Sequence, residues 1–67
     1  MREGKIRWLV NEIANEVRNS KEVSLASLAF KYNVSLKTLR YEIVPIITEL
    51  FDDIYFDKDE KKLKVRG

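Results

Sequence analysis

The chain of 67 residues contains no cysteine and no histidine. Disulfide bonds, zinc sites built on thiolate or imidazole ligands, and catalysis by cysteine or histidine are therefore excluded. The two glycines, Gly4 and Gly67, stand alone, which excludes the glycine-rich loops that cradle phosphate groups. Carboxylate or lysine chemistry needs a concave pocket that so short a chain can hardly form. We therefore expect no enzyme, no bound metal or cofactor, and no small-molecule ligand.

The sequence also lacks any apolar run that approaches the length of a membrane span, and nothing in it resembles a signal peptide. We accordingly expect a cytoplasmic protein without a membrane partner. With 45% hydrophobic residues, the composition is that of a folded domain, and we predict one domain over residues 1–67. The high proportion of charged residues, 36%, and the absence of cysteine and glutamine are typical of proteins from hot environments.

The excess of positive charge is small, because 13 basic residues face 11 acidic ones and the net charge is +2. Proteins that bind nucleic acid through bulk charge are far more basic. A nucleic-acid partner would therefore have to be bound by a local group of cations.

Three stretches carry apolar residues at helical spacing, over residues 5–19, 25–32 and 36–51. Ser24 and Ser35 are suited to cap the second and third helices, and Asn33 tolerates the left-handed conformation at the turn between them. Pro45 predicts a kink near Val44, since it lacks a backbone donor. We expect the apolar stripe to keep its phase past the proline. Its inward residues would then be Leu39, Ile43, Ile46 and Leu50, with Leu36 on the same apolar side and Val44 flanking the outward face.

After Phe51 the apolar residues alternate with polar ones, which predicts a β-hairpin over residues 53–66. If Phe56 lies opposite Leu63, one face of the hairpin is wholly apolar. The same register places Asp57 opposite Lys62 and Asp53 opposite Arg66, and it predicts an ion pair at each of these two positions. It also places Tyr55 opposite Lys64. The fold class is therefore α+β, with three helices and a C-terminal two-stranded hairpin, after a short extended piece at Glu22-Val23.

The segment from Leu28 to Ile43, LAFKYNVSLKTLRYEI, has the spacing of a helix-turn-helix. It resembles the winged helix-turn-helix of DeoR-type and biotin-repressor-type regulators, which favour Leu-Ala, a turn with Val-Ser, then Thr, an aliphatic residue, Arg, a variable residue, an acid and an aliphatic residue. The match covers about 20 residues closely. The chain departs from the family at Asn33, where glycine is usual, and at Pro45.

The resemblance implies that the third helix enters the major groove of double-stranded DNA and that the hairpin acts as a wing. Lys37 and Arg40 would reach guanine edges or phosphates, while Thr38 and Tyr41 would contact phosphate or a thymine methyl group. The candidate DNA-binding residues are Ser35, Lys37, Thr38, Arg40 and Tyr41 on the helix, with Lys58 and Lys61 at the wing tip.

Two functions are compatible with these observations. The first is a DNA-binding transcriptional regulator, either complete or as the N-terminal module of a longer chain. The alternative is a winged-helix module that binds another protein in a larger assembly, since a fold does not fix a function. Trp8 and Phe30 lie off the predicted buried faces, which suggests a homodimer interface that would present two recognition helices to a two-fold site.

Overall fold

The computed structural model describes the backbone of residues 2–66 and the side chains of residues 4–66. The ends of the predicted domain, Met1 and Gly67, lie outside this range. The chain is an α+β structure of three helices and a three-stranded antiparallel sheet. Helix α1 spans Arg2–Ser20, strand β1 Glu22–Ser24, helix α2 Leu25–Tyr32, helix α3 residues 36–50, strand β2 Ile54–Asp57 and strand β3 Lys62–Val65.

The predicted helices agree with the structure within three residues at each end. Helix α1 begins at Arg2, three residues before the predicted start. The prediction missed this first turn because it is polar and carries no apolar periodicity. The bounds of α2 are those predicted. Helix α3 ends one residue earlier than predicted, since Phe51 is extended, with φ −121° and ψ 105°.

The turn between α2 and α3 is built by the residues that the sequence indicates. Ser24 accepts a hydrogen bond from the N–H of Ser27, and Ser35 accepts one from the N–H of Thr38, so both serines cap the helices that follow. Asn33 is left-handed, with φ 55°, and ends α2 abruptly. Asn33 and Ser35 thus form the turn between α2 and α3, while Ser24 caps the start of α2.

The middle of α3 is not α-helical. The helix comprises an α-helical turn at Leu36–Thr38, a π-helical turn at Leu39–Ile43 and an α-helical segment at Val44–Leu50. The N–H of Val44 donates to the carbonyl of Leu39, five residues back. The wide turn lies directly before Pro45, which cannot donate to the carbonyl of Tyr41.

The predicted continuity of the apolar stripe through α3 is therefore wrong. The extra residue in the π-helical turn rotates the following segment, so that Val44, predicted near the outward face, is buried and Leu50, predicted inward, is 64% exposed. Ile47 takes the fully buried position. Leu36 is also exposed, one turn before the buried Leu39.

The predicted two-stranded hairpin of β2 and β3 forms, but it belongs to a three-stranded sheet with the strand order β1-β3-β2, whose third strand was not predicted to join it. Its β2–β3 register is the predicted one, with Ile54 opposite Val65 and Phe56 opposite Leu63. Strand β1 adds to the free edge of β3, where Val23 lies opposite Leu63. The extended piece at Glu22-Val23 thus joins a sheet whose other strands lie about 30 to 40 residues further along the chain.

One apolar core lies between the three helices and the inner face of the sheet. Its buried residues are Leu9, Val10, Ile13, Ala14, Val17, Val23, Leu25, Leu28, Leu39, Ile43, Val44, Ile47, Ile54 and Leu63. No described helix combines the length with the apolar content that a membrane crossing requires.

The predicted ion pairs across the hairpin are wrong in both cases. The Asp53 carboxylate binds the Arg18 guanidinium on α1 through two hydrogen bonds of 2.8 Å, which lowers the pKa of Asp53 below its ordinary value. Arg66 instead donates from Nε to the backbone carbonyl of Asp52. Asp57 pairs with Lys64 at 3.2 Å. Long side chains reach partners on other elements, so strand register alone does not set ion pairing.

Candidate nucleic-acid interface

An open depression of about 600 Å³ lies between the start of α2, the first half of α3 and the loop that joins β2 to β3, hereafter the wing loop (residues 58–61). Five of the seven candidate DNA-binding residues line it. The lining consists of Ser24, Leu25, Ala26, Leu36, Lys37, Arg40, Tyr41, Phe56, Lys58, Glu60 and Lys61. Residues far apart in the sequence are thus brought together on one face.

Helical spacing places the α3 members of this site side by side. Lys37, Arg40 and Tyr41 are related by three and four positions, so they occupy one face of the helix. Lys37 and Tyr41 are exposed, whereas Arg40 is half-buried. The face therefore presents two cations and one phenol beside the exposed side chain of Leu36.

The wing loop is held in place by its own backbone and by α2. One oxygen of the Asp57 carboxylate accepts hydrogen bonds from the N–H groups of Asp59 and Glu60, at 2.9 and 3.1 Å. Lys61 adopts a left-handed conformation with φ 55°, and its carbonyl accepts the N–H of Leu25 at 3.0 Å. This last bond ties the loop to the start of α2, so Lys61 keeps a fixed position relative to that helix.

Arg40 links α3 to the sheet. Its guanidinium carbon lies 4.6 Å from the ring centroid of Phe56 on β2 and 5.3 Å from that of Tyr41. Both distances are within the range of cation–π attraction. The stack restricts Arg40 to the floor of the depression, between the helix and the wing.

The lysines of strand β3 do not add to this cationic face. Lys64 contacts three carboxylates, those of Glu60 at 2.6 Å, Asp57 at 3.2 Å and Glu22 at 3.7 Å. Hydrogen bonds to Glu60 and then Asp57 raise the pKa of Lys64 above its ordinary value. Lys62 pairs with Glu22 at 3.4 Å. Carboxylates on β1, on β2 and in the wing loop thus neutralise the lysines of β3.

The cations around the depression have no such partners. Among the side chains of residues 4–66, no carboxylate lies within salt-bridge distance of Lys37, Arg40, Lys58 or Lys61. Glu60, which also lines the depression, is engaged by Lys64. Four positive charges from two elements are therefore available to an anion on this face.

Ser35 and Thr38 are placed elsewhere. They line a separate shallow depression beside α1, with Ile6 and Leu9. The Ser35 hydroxyl donates to Thr38 Oγ1 at 2.9 Å while it accepts the N–H of Thr38, so the two side chains are engaged with each other as a helix cap. The structure therefore does not bring these two predicted residues to the cationic face.

The two residues of the predicted dimer interface do not form one patch. The Trp8 ring lies edge-on to Tyr32, with centroids 6.1 Å apart, and is 53% exposed. Phe30 is 92% exposed, and it lies about 160° away from Tyr32 around the axis of α2. Trp8 thus has an intramolecular partner, whereas Phe30 projects into solvent on another side of the helix.

Leu36 and Phe56 line the site but are absent from the candidate residues predicted from the sequence. Both were predicted to be apolar packing residues, Leu36 on the buried face of its helix and Phe56 on the inner face of the hairpin. The alternating pattern of the hairpin does contain a signal for Phe56 as a site residue, because an aromatic residue next to the wing loop is well placed to reach α3. Its contact with Arg40, however, depends on how α3 packs on the sheet.

Among the described residues, no group of three or more acidic side chains is arranged to hold a metal ion. Comparisons of the chain with protein-family models, with curated proteins and with solved structures found no match.

Proposed function

We propose that this chain is a winged helix-turn-helix domain that binds double-stranded DNA and regulates transcription. In this proposal α3 lies in the major groove and the wing loop contacts an adjacent phosphate strand. The arrangement of three helices and a small antiparallel sheet supports it, as does the capped turn between α2 and α3.

The observation that carries the proposal is the group of four cations around one depression that have no carboxylate partner among the described side chains. Lys37 and Arg40 come from α3, and Lys58 and Lys61 from the wing loop. Elsewhere on the sheet, Lys62 and Lys64 are paired with carboxylates. Unpaired cations at the rim of an open site are available to replace the counterions of a DNA strand.

The two elements would act differently. Lys37 and Tyr41 are exposed on α3 and can reach base edges, which carry sequence information. Lys58 and Lys61 lie on a loop fixed by Asp57 and by Leu25, so they are suited to position the domain on phosphates. Arg40, stacked on Phe56, would neutralise phosphates of the DNA strand that passes between α3 and the wing loop.

The test is the removal of two charges from α3. The double variant Lys37→Ala with Arg40→Gln should lose binding to a duplex selected from a random pool, measured by fluorescence anisotropy. The matched control is Lys5→Ala with Arg7→Gln, which removes two exposed cations from α1. An equal loss in both variants would show bulk attraction only, and unchanged binding in the first would refute the assigned interface.

A second candidate function is the binding of a protein partner, which includes a second copy of the chain. Phe30 favours it, because an aromatic side chain 92% exposed on a helix is typical of interfaces. Sedimentation velocity of the free protein is the test, with Phe30→Ser compared with the original chain. A dimer lost in the variant would support this function, while a monomer in both would remove the argument for self-association.

A further inference from the structure

The floor of the depression is apolar, although its rim is cationic. Tyr41 is 68% exposed and Leu36 53% exposed, and both line the site together with Phe56. A paired duplex offers phosphates and mostly polar base edges to a protein, and its apolar groups in the major groove are the small thymine methyls. An unpaired base offers a flat aromatic face, which stacks on aromatic side chains.

Arg40 makes this floor a preformed stacking platform. Its guanidinium lies against Phe56 at 4.6 Å and against Tyr41 at 5.3 Å. Aromatic rings and guanidinium planes both stack with bases. Because Phe56 is half-buried and Arg40 lies against both rings, the exposed ring of Tyr41 is the part of the platform that a base can cover.

Charge and size are consistent with the same ligand. Lys37, Lys58 and Lys61 surround the platform, where the phosphates of a strand would pass. The volume of about 600 Å³ is within the range of sites that hold small organic ligands, about 300–1,000 Å³. A purely phosphate-binding groove would not need the three apolar side chains.

We infer that the depression binds an unpaired base of a single-stranded DNA segment that adjoins the duplex. The base stacks on Tyr41, and Lys37 and Lys61 hold the flanking phosphates, so on a tailed duplex these side chains contact the tail in place of the duplex base edges and phosphates. The inference rests on the proposed function, because it needs α3 beside the duplex. It assigns to this face a preference for junctions between double-stranded and single-stranded DNA.

The experiment compares three labelled probes by anisotropy: a blunt duplex, the same duplex with a single-stranded thymidine tail, and the tail alone. The tailed duplex should bind roughly ten-fold more tightly than the blunt one, which is the size of one base–aromatic stack. Tyr41→Leu should remove this difference, whereas Tyr41→Phe, which keeps the ring, should retain it. Both substitutions are on an exposed side chain and leave the core unchanged.

The outcomes separate the inference from the proposed function. Equal binding of tailed and blunt duplexes would overturn the inference and leave duplex binding intact, while no binding of any probe would overturn both. Free thymidine monophosphate should not compete at concentrations at which the tail does. Full competition by it would overturn the assignment to a strand and indicate a nucleotide site.

A spectroscopic measurement reports on the stack directly. The variant Trp8→Phe with Tyr41→Trp carries its only tryptophan on the platform. Its emission should be quenched by the tailed duplex and much less by the blunt one, because only an unpaired base covers the ring. Equal quenching by the two duplexes would contradict the stacking geometry.

Discussion

The N–H of Val44 donates to the carbonyl of Leu39, five residues earlier, and this hydrogen bond decides which side of the end of α3 is buried. It closes the π-helical turn that precedes Pro45. Without the extra residue in that turn, Leu50 would face the core and Val44 would flank the candidate interface. Because of the π-helical turn, Val44 and Ile47 are buried in the core, while Tyr41 remains on the exposed face.

This phase change predicts unequal effects of two similar truncations. Ile47→Ala should lower the free energy of unfolding by about 2–5 kcal/mol, because it leaves a cavity at a fully buried position. Leu50→Ala should change it by less than about 1 kcal/mol, since that side chain is 64% exposed. Urea denaturation measures both. Comparable losses would mean that α3 continues as a regular α-helix.

Asn33 offers a test of the turn. Its φ of 55° is left-handed, a conformation that costs an ordinary L-residue roughly 1–2 kcal/mol. Asn33→Ala should therefore destabilise the protein by about 1 kcal/mol, whereas Asn33→Gly should be neutral or slightly stabilising. Thermal unfolding of the two variants distinguishes them. If alanine proved as stable as glycine, the left-handed turn would be wrong.

Much of this fold is predictable from local pattern. The spacing of Leu25, Leu28 and Tyr32 marks α2, two serines cap helices, and alternation from Ile54 onwards gives the hairpin register. Each of these features is decided by neighbours within a few residues. That is why periodicity and capping rules find them.

The features that escape prediction depend on contacts distant in the sequence. Strand β1 forms because β3 has a free edge that Glu22–Ser24 can reach, and no pattern in three residues reveals that pairing. Asp53 binds Arg18 on α1 at the protein surface instead of Arg66 on the opposite side of the hairpin. At the candidate site, the sequence identifies the cations of α3 and the wing loop. It does not identify Phe56, whose contact with Arg40 is set by packing.

The charge network predicts how stability responds to acid. Asp57 accepts the N–H of Glu60 and pairs with Lys64, and Asp53 binds Arg18, so the folded pKa of each carboxyl lies below 3.8. Their stabilising contribution is therefore present above pH 3.8 and is lost as the pH falls through the lowered values. Urea denaturation at a series of acidic pH values measures this loss.

Two variants show whether these carboxylates cause it. In Asp53→Asn with Asp57→Asn, the free energy of unfolding should depend less steeply on pH below 3.8 than in the original chain. Asp52→Asn is the control, because no cation lies within salt-bridge distance of that carboxylate among residues 4–66. If the double variant kept the full pH dependence, other carboxylates would account for it.

Two neighbouring lysines separate a DNA contact from a structural charge. Lys61→Asn removes an unpaired cation from the wing loop while asparagine tolerates the left-handed φ of 55°. The log-log slope of duplex affinity against salt should become shallower by about 1. Lys62→Gln, which removes a cation that Glu22 already neutralises, should leave the slope nearly unchanged. Equal effects would contradict the distinction between a phosphate contact at Lys61 and a charge already neutralised at Lys62.

The most direct measurement is a titration of mixed-sequence duplex DNA with the unaltered protein at several salt concentrations. The four cations around the depression, which no described carboxylate pairs, predict a linear fall of log affinity with log salt, with a slope of about −3 to −4. A slope near zero, or no binding at low salt, would contradict the proposal that this face binds DNA.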